Sequence, residues 1–242
     1  MIKINKILAD YIFPTFNILY KMFPQLYKEI YFLYKSVFDF DKIIFIKSKV
    51  NEGDTVVDIG SNIGFYTKLF SKIVGKDGKV YSFEPDIKNF KILKSNKFSY
   101  NNVKLFNIAL GSKNGSINLF ESKDRNTDHQ TYDIGDRRSA RKIRCAKGDY
   151  LLRKELEIRF IKIDTQGYDY YVLEGMKNLL SSSRNIFVVG EMWPYGLYKS
   201  GILPSRYLKF LKDMGFKVNL NLNFDKKIND KYYYTDFIAT KA

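Results

Sequence analysis

The chain has 242 residues, of which 45% are hydrophobic, and a formal net charge of +15. This length suffices for one large α/β domain with extensions, which can bury its core without disulfides. Cys145 is the only cysteine, so an internal bridge is excluded, and we expect Cys145 to be structural in a cytoplasmic protein. The positive charge favours nucleic acid or an anionic surface as a partner, although scattered lysines also form an ordinary solvated surface. The densest basic stretch is residues 137–144.

The first 46 residues alternate aromatic and aliphatic side chains with lysines and contain Pro14 and Pro24. No apolar run among them reaches the roughly 18 residues that a bilayer-spanning helix needs, and they lack a signal-peptide core with a cleavage site. The pattern predicts two or three short amphipathic helices that break near the prolines. We expect this N-terminal helical extension, residues 1–46, to pack on the domain of residues 47–242 or over its ligand cleft. The alternative is peripheral contact with a membrane surface.

The sequence is organised around the segment DTVVDIGSNIGFY, residues 54–66. Its β-branched run is typical of a buried parallel strand, and apolar residues recur at helical spacing from Ile63 onward. Gly60 and Gly64 lie in the turn between this strand and the helix. In open α/β sheets a ligand binds beyond the carboxyl end of such a strand, where glycines let the backbone approach closely. The segment therefore predicts a ligand site at this turn.

The residues around the turn narrow the choice of ligand. The three-glycine dinucleotide fingerprint is incomplete and no phosphate-binding lysine follows, which disfavours nicotinamide cofactors and ATP. Asp58 precedes the turn, and Glu84 ends the next strand at a spacing close to that of a carboxylate that reaches ribose hydroxyls. These two acids suit a ligand with a positive end and a ribose. The alternative is a nucleotide-free α/β domain that uses the glycines for packing alone.

Strand and helix patterns alternate along the rest of the chain. Further strands are predicted at residues 79–83, 103–108, 158–164, 186–190, 217–222 and 232–239, and a hairpin-like segment is predicted at residues 116–121. Helices are predicted at residues 86–98, after Gly167, and at residues 204–214. Residues 122–141 form the one long loop predicted, and since they hold His129 and part of the basic stretch, we interpret them as a lid or a disordered segment. The last helix and two strands predict an antiparallel hairpin that closes the sheet.

Two later strands end in acidic residues. The two-residue period of a strand places Lys162 and Asp164 on the same side, with Asp164 at the carboxyl end. Glu191 ends the next strand. We therefore expect Asp164 and Glu191 to lie close to each other and to the cleft. A lysine between carboxylates is either a catalytic group or a structural ion pair, and both interpretations stay open.

Five motifs together resemble the FkbM-type family of S-adenosylmethionine-dependent methyltransferases over about residues 43–240. They are VDIGSNIGFYT, SFEP, NIALG, RFIKIDTQGYDYYVLEGM and VVGEMWP. The resemblance implies an α/β, Rossmann-like class I methyltransferase fold, with a seven-stranded, mostly parallel sheet whose last strand is antiparallel. It also implies S-adenosyl-L-methionine as cofactor and O-methylation, most often of a sugar hydroxyl on a glycan, glycolipid or glycosylated metabolite.

The resemblance assigns residues to the cofactor. The predicted cofactor-binding set is Asp58, Gly60, Ser61, Asn62, Gly64, Phe65, Glu84, Pro85, Asn107 and Ala109. The later acidic motif of the family falls on Lys162, Asp164 and Gly167. Two positions depart from the family pattern, because Asp169 stands where the family usually has Glu and Ser112 stands where an acidic residue often follows ALG.

The implied chemistry is attack of an acceptor hydroxyl on a sulfonium methyl group. The candidate catalytic residues are Asp164, Lys162, Glu191 and His129. Asp164, or His129 if its loop folds over the cleft, would accept the hydroxyl proton. Asp164 with Glu191 could instead hold Mg²⁺, an interpretation that we rank below a base. Two other functions stay open, a nucleic-acid ribose 2′-O-methyltransferase and a non-catalytic module that binds S-adenosylmethionine.

Overall fold

A computed structural model of the chain describes residues 16–122, 125–155, 157–220 and 224–241. The described residues form ten strands. They are β1 (Thr55–Ile59), β2 (Lys79–Phe83), β3 (Val103–Phe106), β4 (Ala109–Leu110), β5 (Gly115–Glu121), β6 (Ser139–Ala146), β7 (Phe160–Ile163), β8 (Ile186–Met192), β9 (Lys217–Val218) and β10 (Thr235–Lys241).

The helices are labelled in the same way, and residues 16–22 are also helical. The labelled helices are α1 (Pro24–Phe38), α2 (Phe40–Lys49), α3 (Phe65–Ile73), α4 (Ile87–Lys94), α5 (Gly148–Leu151), α6 (Asp169–Glu174), α7 (Lys177–Ser182), α8 (Pro194–Lys199) and α9 (Pro204–Asp213). A 3-10 turn covers Phe224–Lys227. In the part of the chain described here, every helix is too short or too polar to span a lipid bilayer.

Seven strands make one sheet in the order β3-β2-β1-β7-β8-β10-β9. The pairs from β3 to β8 are parallel, whereas β10 runs antiparallel to both β8 and β9. The predicted Rossmann-like sheet with an antiparallel last strand is therefore confirmed, as is the closing hairpin. The chain leaves β1 toward β2 on one side and returns to β7 on the other, so a crevice opens at the carboxyl ends of β1 and β7.

The basic stretch corrects the loop prediction for residues 122–141. Residues 139–146 form β6, which pairs with β5 and β4 in a separate three-stranded sheet. Ile143 and Cys145 are buried, whereas Lys142 and Arg144, on either side of Ile143, are exposed, and this alternation is that of a half-buried strand. The dense positive charge hid the alternation in the sequence. Burial raises the pKa of the Cys145 thiol to about 11, which agrees with a structural role.

Several predicted bounds shift by a few residues. The strand predicted at residues 103–108 ends at Phe106 as β3, and the short strand β4 follows it in the other sheet. The last helix and strands keep their order with shorter strands. The helix after Gly167 divides into α6 and α7 around Gly175. A Cβ atom on Gly175 would lie 2.0 Å from the carbonyl oxygen of Gly111, so close packing against that backbone explains the interruption.

The N-terminal helices pack on the domain. Ile46 and Val50 join the core beside Val56, and Tyr20 and Tyr27 pack with Ile63 and Ile92. Helix α1 begins at Pro24, as predicted, while Pro14 lies outside the described residues. Helix α2 runs across residue 46, and the division of the chain there stays a prediction.

Candidate functional site at the strand ends

The turn after β1 brings two strand ends into contact. Gly60 has a φ of +73°, and a Cβ atom there would lie 1.9 Å from the carbonyl oxygen of Asp164. Only glycine tolerates this approach. The backbone N–H groups of Gly60 and Ser61 both donate to the Phe83 carbonyl oxygen at 3.0 Å. The turn is thereby fixed between the ends of β2 and β7.

The second glycine of the turn serves helix packing. Gly64 has a φ of +94°, and a Cβ atom there would lie 2.5 Å from Leu93 Cδ1 and 2.6 Å from Asn96 Nδ2. Asn96 also donates to the Ile63 carbonyl oxygen at 2.8 Å. Gly64 therefore lets α3 start close to α4.

A cavity of about 850 Å³ opens at these strand ends, within the size range of small-molecule sites. Its walls come from the carboxyl ends of the parallel strands, from α1 and from the segment of residues 125–131. The predicted cofactor residues that line it are Gly60, Ser61, Asn62, Phe65, Glu84, Pro85 and Ala109. The predicted catalytic residues that line it are His129, Lys162, Asp164 and Glu191.

Glu84 presents a buried carboxylate to the cavity. Its two oxygens accept hydrogen bonds from the backbone N–H groups of Asn62, at 2.7 Å, and Asp86, at 2.8 Å. Burial raises the pKa of Glu84 to about 8. Asn107 lies behind this residue, where its Nδ2 donates to the carbonyl oxygens of Glu84 and Pro85 at 2.8 and 3.1 Å. Asn107 thus fixes the turn that carries the carboxylate.

Lys162 joins the ends of β1 and β7. Its Nζ lies 3.8 Å from Asp58 Oδ1 and 3.5 Å from Asp164 Oδ2, and donates to the Gly60 carbonyl oxygen at 3.2 Å. Asp58 is fully buried behind the cavity and accepts from Thr67 Oγ1 at 2.6 Å. Burial raises the pKa of Asp58 despite the nearby Lys162. The geometry therefore matches a structural ion pair that also borders the cavity.

Asp164 and Glu191 form a carboxylate pair with unlike proton affinities. Burial opposes ionisation of Asp164, but Lys162 and Lys35 outweigh it and lower its pKa. Gln166 Nε2 donates to Asp164 Oδ1 at 2.8 Å. Burial and the charge of Asp164 raise the pKa of Glu191 to about 7. One member is thus firmly ionised, while the other can exchange a proton near neutral pH.

Helix α1 adds residues to the cavity that the sequence analysis did not assign to it. Tyr27, Tyr31, Tyr34 and Phe38 recur at helical spacing and all line the cavity. Burial and the charges of Asp164 and Asp39 raise the pKa of Tyr31, so this phenol stays neutral. The helical spacing of these aromatic residues was the signal in the sequence that could have identified them, and the position of α1 agrees with the expected packing of the N-terminal helices over the ligand cleft.

His129 lies in the segment that covers the cavity from the other side. Its Nδ1 accepts a hydrogen bond from the Ser122 backbone N–H at 3.0 Å, so the neutral ring carries its proton on Nε2. Burial lowers the pKa of His129 despite the negative charges of Asp86 and Glu121. At neutral pH the ring is therefore a hydrogen-bond donor.

Ion pairs and amide contacts hold this covering segment in place. Tyr27 donates its hydroxyl to Asn126 Oδ1 at 2.8 Å. Arg138 pairs with Asp128 at 2.7 Å and with Asp136 at 2.8 Å. Part of the basic stretch is therefore engaged within the protein.

Arg141 extends the same pattern along β6. Its guanidinium pairs with Glu121 at 2.9 Å and with Asp86 at 3.1 Å. Asp86 also caps α4 by accepting from the backbone N–H groups of Lys88 and Asn89. The β5–β6 hairpin is thereby tied to the wall of the cavity.

Asp169, where the family usually has Glu, is buried and faces the turn after β7. Its Oδ1 accepts from Thr165 Oγ1 at 2.9 Å and from the Thr165 backbone N–H at 3.3 Å. Burial raises the pKa of Asp169 to about 6. The shorter acid therefore fixes the turn that carries Gln166 beside Asp164.

The magnesium interpretation finds no support. Across the residues that the structure describes, no group of three or more His, Cys, Asp or Glu side chains is placed to hold a metal ion. The carboxylate pair instead faces Lys162 and Lys35, whose ammonium groups supply the compensating charge.

A smaller cleft of about 180 Å³ adjoins the cavity. It shares Asp164, Gln166 and Glu191 with the large cavity and adds aromatic side chains, Trp193 and Tyr232. Trp193 Nε1 donates to the Lys231 carbonyl oxygen at 2.9 Å, which fixes the indole. The carboxylate pair thus lies where the large cavity meets this smaller cleft, which we call the aromatic cleft.

Comparison with known proteins gives the family. A family model of the methyltransferase FkbM domain matches residues 58–218, whereas no curated protein matches the chain. A candidate rRNA methylase from Clostridium thermocellum shares 16% identity at a TM-score of 0.51, with 84% of this chain and 96% of that chain covered.

Two further solved structures are similar at lower TM-scores. A SAM-dependent methyltransferase from Aquifex aeolicus has 19% identity, a TM-score of 0.46, and 86% of this chain and 92% of that chain covered. Aeropyrum pernix fibrillarin, with natively bound S-adenosyl-L-methionine, has 14% identity and a TM-score of 0.48, and the match covers 82% of this chain and 73% of that chain.

The sheet, the glycine turn and the family match define a Rossmann-like, S-adenosylmethionine-dependent methyltransferase. The chain belongs to the FkbM methyltransferase domain family, since the matching model covers most of its length.

The residues of the cavity fit the cofactor of this family. Glu84 offers carboxylate oxygens of the kind that bind ribose hydroxyls. Asn62 Oδ1 and Thr131 Oγ1 are buried polar atoms of the cavity wall, and neither finds a hydrogen-bond partner among the described residues. Apolar side chains for an adenine ring are also present in the wall, namely Ile108, Ala109, Leu110 and Leu119.

Proposed function

We propose that this protein is an S-adenosylmethionine-dependent O-methyltransferase that acts on a sugar hydroxyl of a glycan, glycolipid or glycosylated metabolite. The observation that carries the proposal is the Asp164–Glu191 pair, which borders both the large cavity and the aromatic cleft. A cofactor in the first space and an acceptor in the second would meet at these carboxylates.

The cofactor is assigned to the large cavity, where it supplies an activated methyl group on a positive sulfur. Glu84 would accept hydrogen bonds from its ribose hydroxyls, and Asn62 Oδ1 is available for a further donor. Apolar residues near Ala109 would exclude water from the adenine ring of the cofactor. The fixed turn at Gly60 keeps these groups in place without the cofactor.

The carboxylate pair would orient and deprotonate the acceptor. Ionised Asp164 accepts a hydrogen bond from a neighbouring hydroxyl of the sugar and so orients the ring, and Glu191, with a pKa of about 7, accepts the proton of the attacking hydroxyl as the new O–CH₃ bond forms. Holding the reactants in line can supply as much as roughly 7–11 kcal/mol of the barrier reduction. Base catalysis adds a smaller factor of about 10²–10⁴.

The aromatic cleft supports a sugar as acceptor. A pyranose ring has an apolar C–H face that packs on aromatic rings and hydroxyls at its edge that bind carboxylates. Trp193 and Tyr232 supply the rings, and Asp164 and Glu191 supply the carboxylates. His129 carries its proton on Nε2, so this atom can donate a hydrogen bond to a hydroxyl or carbonyl oxygen. It cannot at the same time accept the proton of the acceptor hydroxyl.

The nucleic-acid alternative has less support. Arg138 and Arg141, which belong to the densest basic stretch, are engaged with Asp128, Asp136, Glu121 and Asp86. Their charges are therefore used to hold the hairpin and the covering segment.

The test is transfer of a labelled methyl group from S-adenosylmethionine to a panel of mono- and oligosaccharides and glycolipids, with RNA as a competing substrate. We expect a methylated sugar, and Asp164→Asn should abolish turnover while the cofactor affinity stays within a few fold. Asp213→Asn, in an exposed ion pair with Lys209, is the matched control.

Three outcomes contradict the proposal in different ways. Methylated RNA ribose would support the nucleic-acid alternative. Cofactor binding without transfer to any acceptor would support a non-catalytic module. Loss of cofactor affinity in Asp164→Asn would place Asp164 in the cofactor pocket.

A further inference from the structure

Helix α1 has a second apolar face that does not line the cavity. Aliphatic side chains recur there at helical spacing, and α2 continues the exposed apolar surface. We call this set the aliphatic stripe, and its members are Leu26, Ile30, Leu33 and Val37 of α1 and Ile44 of α2, together with the aromatic Phe40 at the start of α2. Their exposed fractions run from 36% for Ile30 to 68% for Leu33. A contiguous exposed apolar surface of this kind marks an interaction site.

Lysines rim the aliphatic stripe. Helix α4 is next to α1, since Gln25 Nε2 donates to Oγ of Ser95, the residue after α4, at 3.3 Å, and α4 exposes Lys91 and Lys94. Lys68 of α3 lies 5.8 Å from the centre of the Phe32 ring of α1. The apolar surface, whose helices also carry the exposed acids Glu29 and Asp41, is thus bordered by lysines, on a chain with a net charge of +15.

We propose that the aliphatic stripe docks this protein on the surface of an anionic lipid bilayer. An amphipathic helix can lie in the plane of the interface with its apolar face among the acyl chains, and lysines around it bind anionic headgroups. A second copy of the chain fits this surface less well, because two bodies of the same large positive charge repel each other.

The test is co-sedimentation of the full chain with phosphatidylcholine vesicles that contain or lack phosphatidylglycerol. We expect binding to the anionic vesicles that weakens as salt is added. Leu26→Glu and Leu33→Glu should each weaken binding by roughly tenfold or more, since a buried leucine gains about 1.5–3 kcal/mol. Leu203→Glu, at an exposed leucine outside the stripe, is the matched control, and circular dichroism checks the fold.

The basic rim is tested separately. Lys91→Glu combined with Lys94→Glu should weaken binding to the anionic vesicles, whereas Lys212→Glu on the exposed face of α9 should leave it unchanged. Absence of vesicle binding, or equal losses in the stripe and control variants, would overturn the proposal. A dimer in sedimentation equilibrium that Leu33→Glu dissociates, without vesicle binding, would assign the stripe to a second copy.

Discussion

At the scale of single residues, the site is defined by carboxylates in different surroundings. Asp58, Asp164 and Glu191 lie around Lys162 and Lys35, and their pKa values move in different directions. The two lysines favour the ionised form of Asp164, whereas burial and the negative charge of Asp164 favour the protonated form of Glu191. Separated proton affinities in one pocket are typical of acid–base sites.

The titration of Glu191 predicts that stability falls and turnover rises as the pH increases. Its pKa is about 7 in the folded protein and about 4.3 when unfolded. The folded state therefore holds the proton more tightly, and the stabilisation is full below the unfolded value and lost as the pH rises through about 7. Turnover should instead rise through the same range, as Glu191 becomes able to accept a proton.

The measurement is urea unfolding and methyl transfer between pH 5 and pH 8. Glu191→Gln should flatten the fall in unfolding free energy and abolish the rise in turnover. Glu29→Gln, on the exposed face of α1, should change neither. Parallel stability curves for the wild type and Glu191→Gln would show that Glu191 is not the group that titrates.

At the scale of elements, the β1–α3 turn decides whether the site exists. Gly60 and Gly64 both have positive φ values, but the space around them differs, because Gly60 faces the backbone of Asp164 and Gly64 faces side chains of α4. The glycines therefore serve packing as well as the ligand. Gly64 has the packing role that the alternative interpretation of the sequence gave to both glycines. Gly60, by contrast, couples the turn to the end of β7.

The contact between Gly60 and the end of β7 can be measured by comparing the unfolding free energies of Gly60→Ala and Gly53→Ala. Gly53 has a similar φ of +86°, and a Cβ atom there meets nothing within 4 Å. Its alanine variant should cost about 1–2 kcal/mol of unfolding free energy from the backbone conformation alone. Gly60→Ala adds a collision with the Asp164 carbonyl oxygen and should cost about 1–3 kcal/mol more, with loss of cofactor binding.

Equal losses of unfolding free energy in the two variants, measured by urea titration, would contradict the close approach of β1 and β7. Isothermal calorimetry supplies the binding comparison. In that comparison Gly53→Ala should retain its affinity for S-adenosylmethionine.

At the scale of the whole molecule, the cavity is built from parts that are far apart in the chain. Helix α1, the strand ends and residues 125–131 enclose it, and Tyr27 links α1 to Asn126. A ligand held by all three parts should stabilise the whole fold rather than one element. Unfolding should then remain a single cooperative transition that moves upward on binding.

S-adenosylhomocysteine, the demethylated product, provides that test. At about 100 times its dissociation constant it should raise the unfolding free energy by about 2.7 kcal/mol. Glu84→Gln should reduce this gain at the same concentration, because the amide nitrogen that replaces one carboxyl oxygen cannot accept a hydrogen bond from the ribose. Calorimetric scanning with and without the nucleoside measures the shift, and an unchanged transition in the wild type would contradict the cofactor site.

The family resemblance implied the seven-stranded sheet, whereas the sequence by itself determined the alternating strands and helices, the glycine turn and the acids at the strand ends. These follow from local periodicity and from the rule that parallel strands end at one edge, so Asp164 and Glu191 could be placed together from the sequence. It did not reveal β6, because Arg141, Lys142 and Arg144 masked the alternation with Ile143 and Cys145.

Only the tertiary structure decided what each of these residues faces. The periodicity of α1 showed that its tyrosines share one side, but which apolar face of the helix meets the domain depends on contacts across the chain, such as that between Tyr27 and Asn126. Likewise, Lys162 became an ion-pair partner of Asp58 through the register of β1 and β7. Long-range packing sets burial and charge environment, and these set proton affinity.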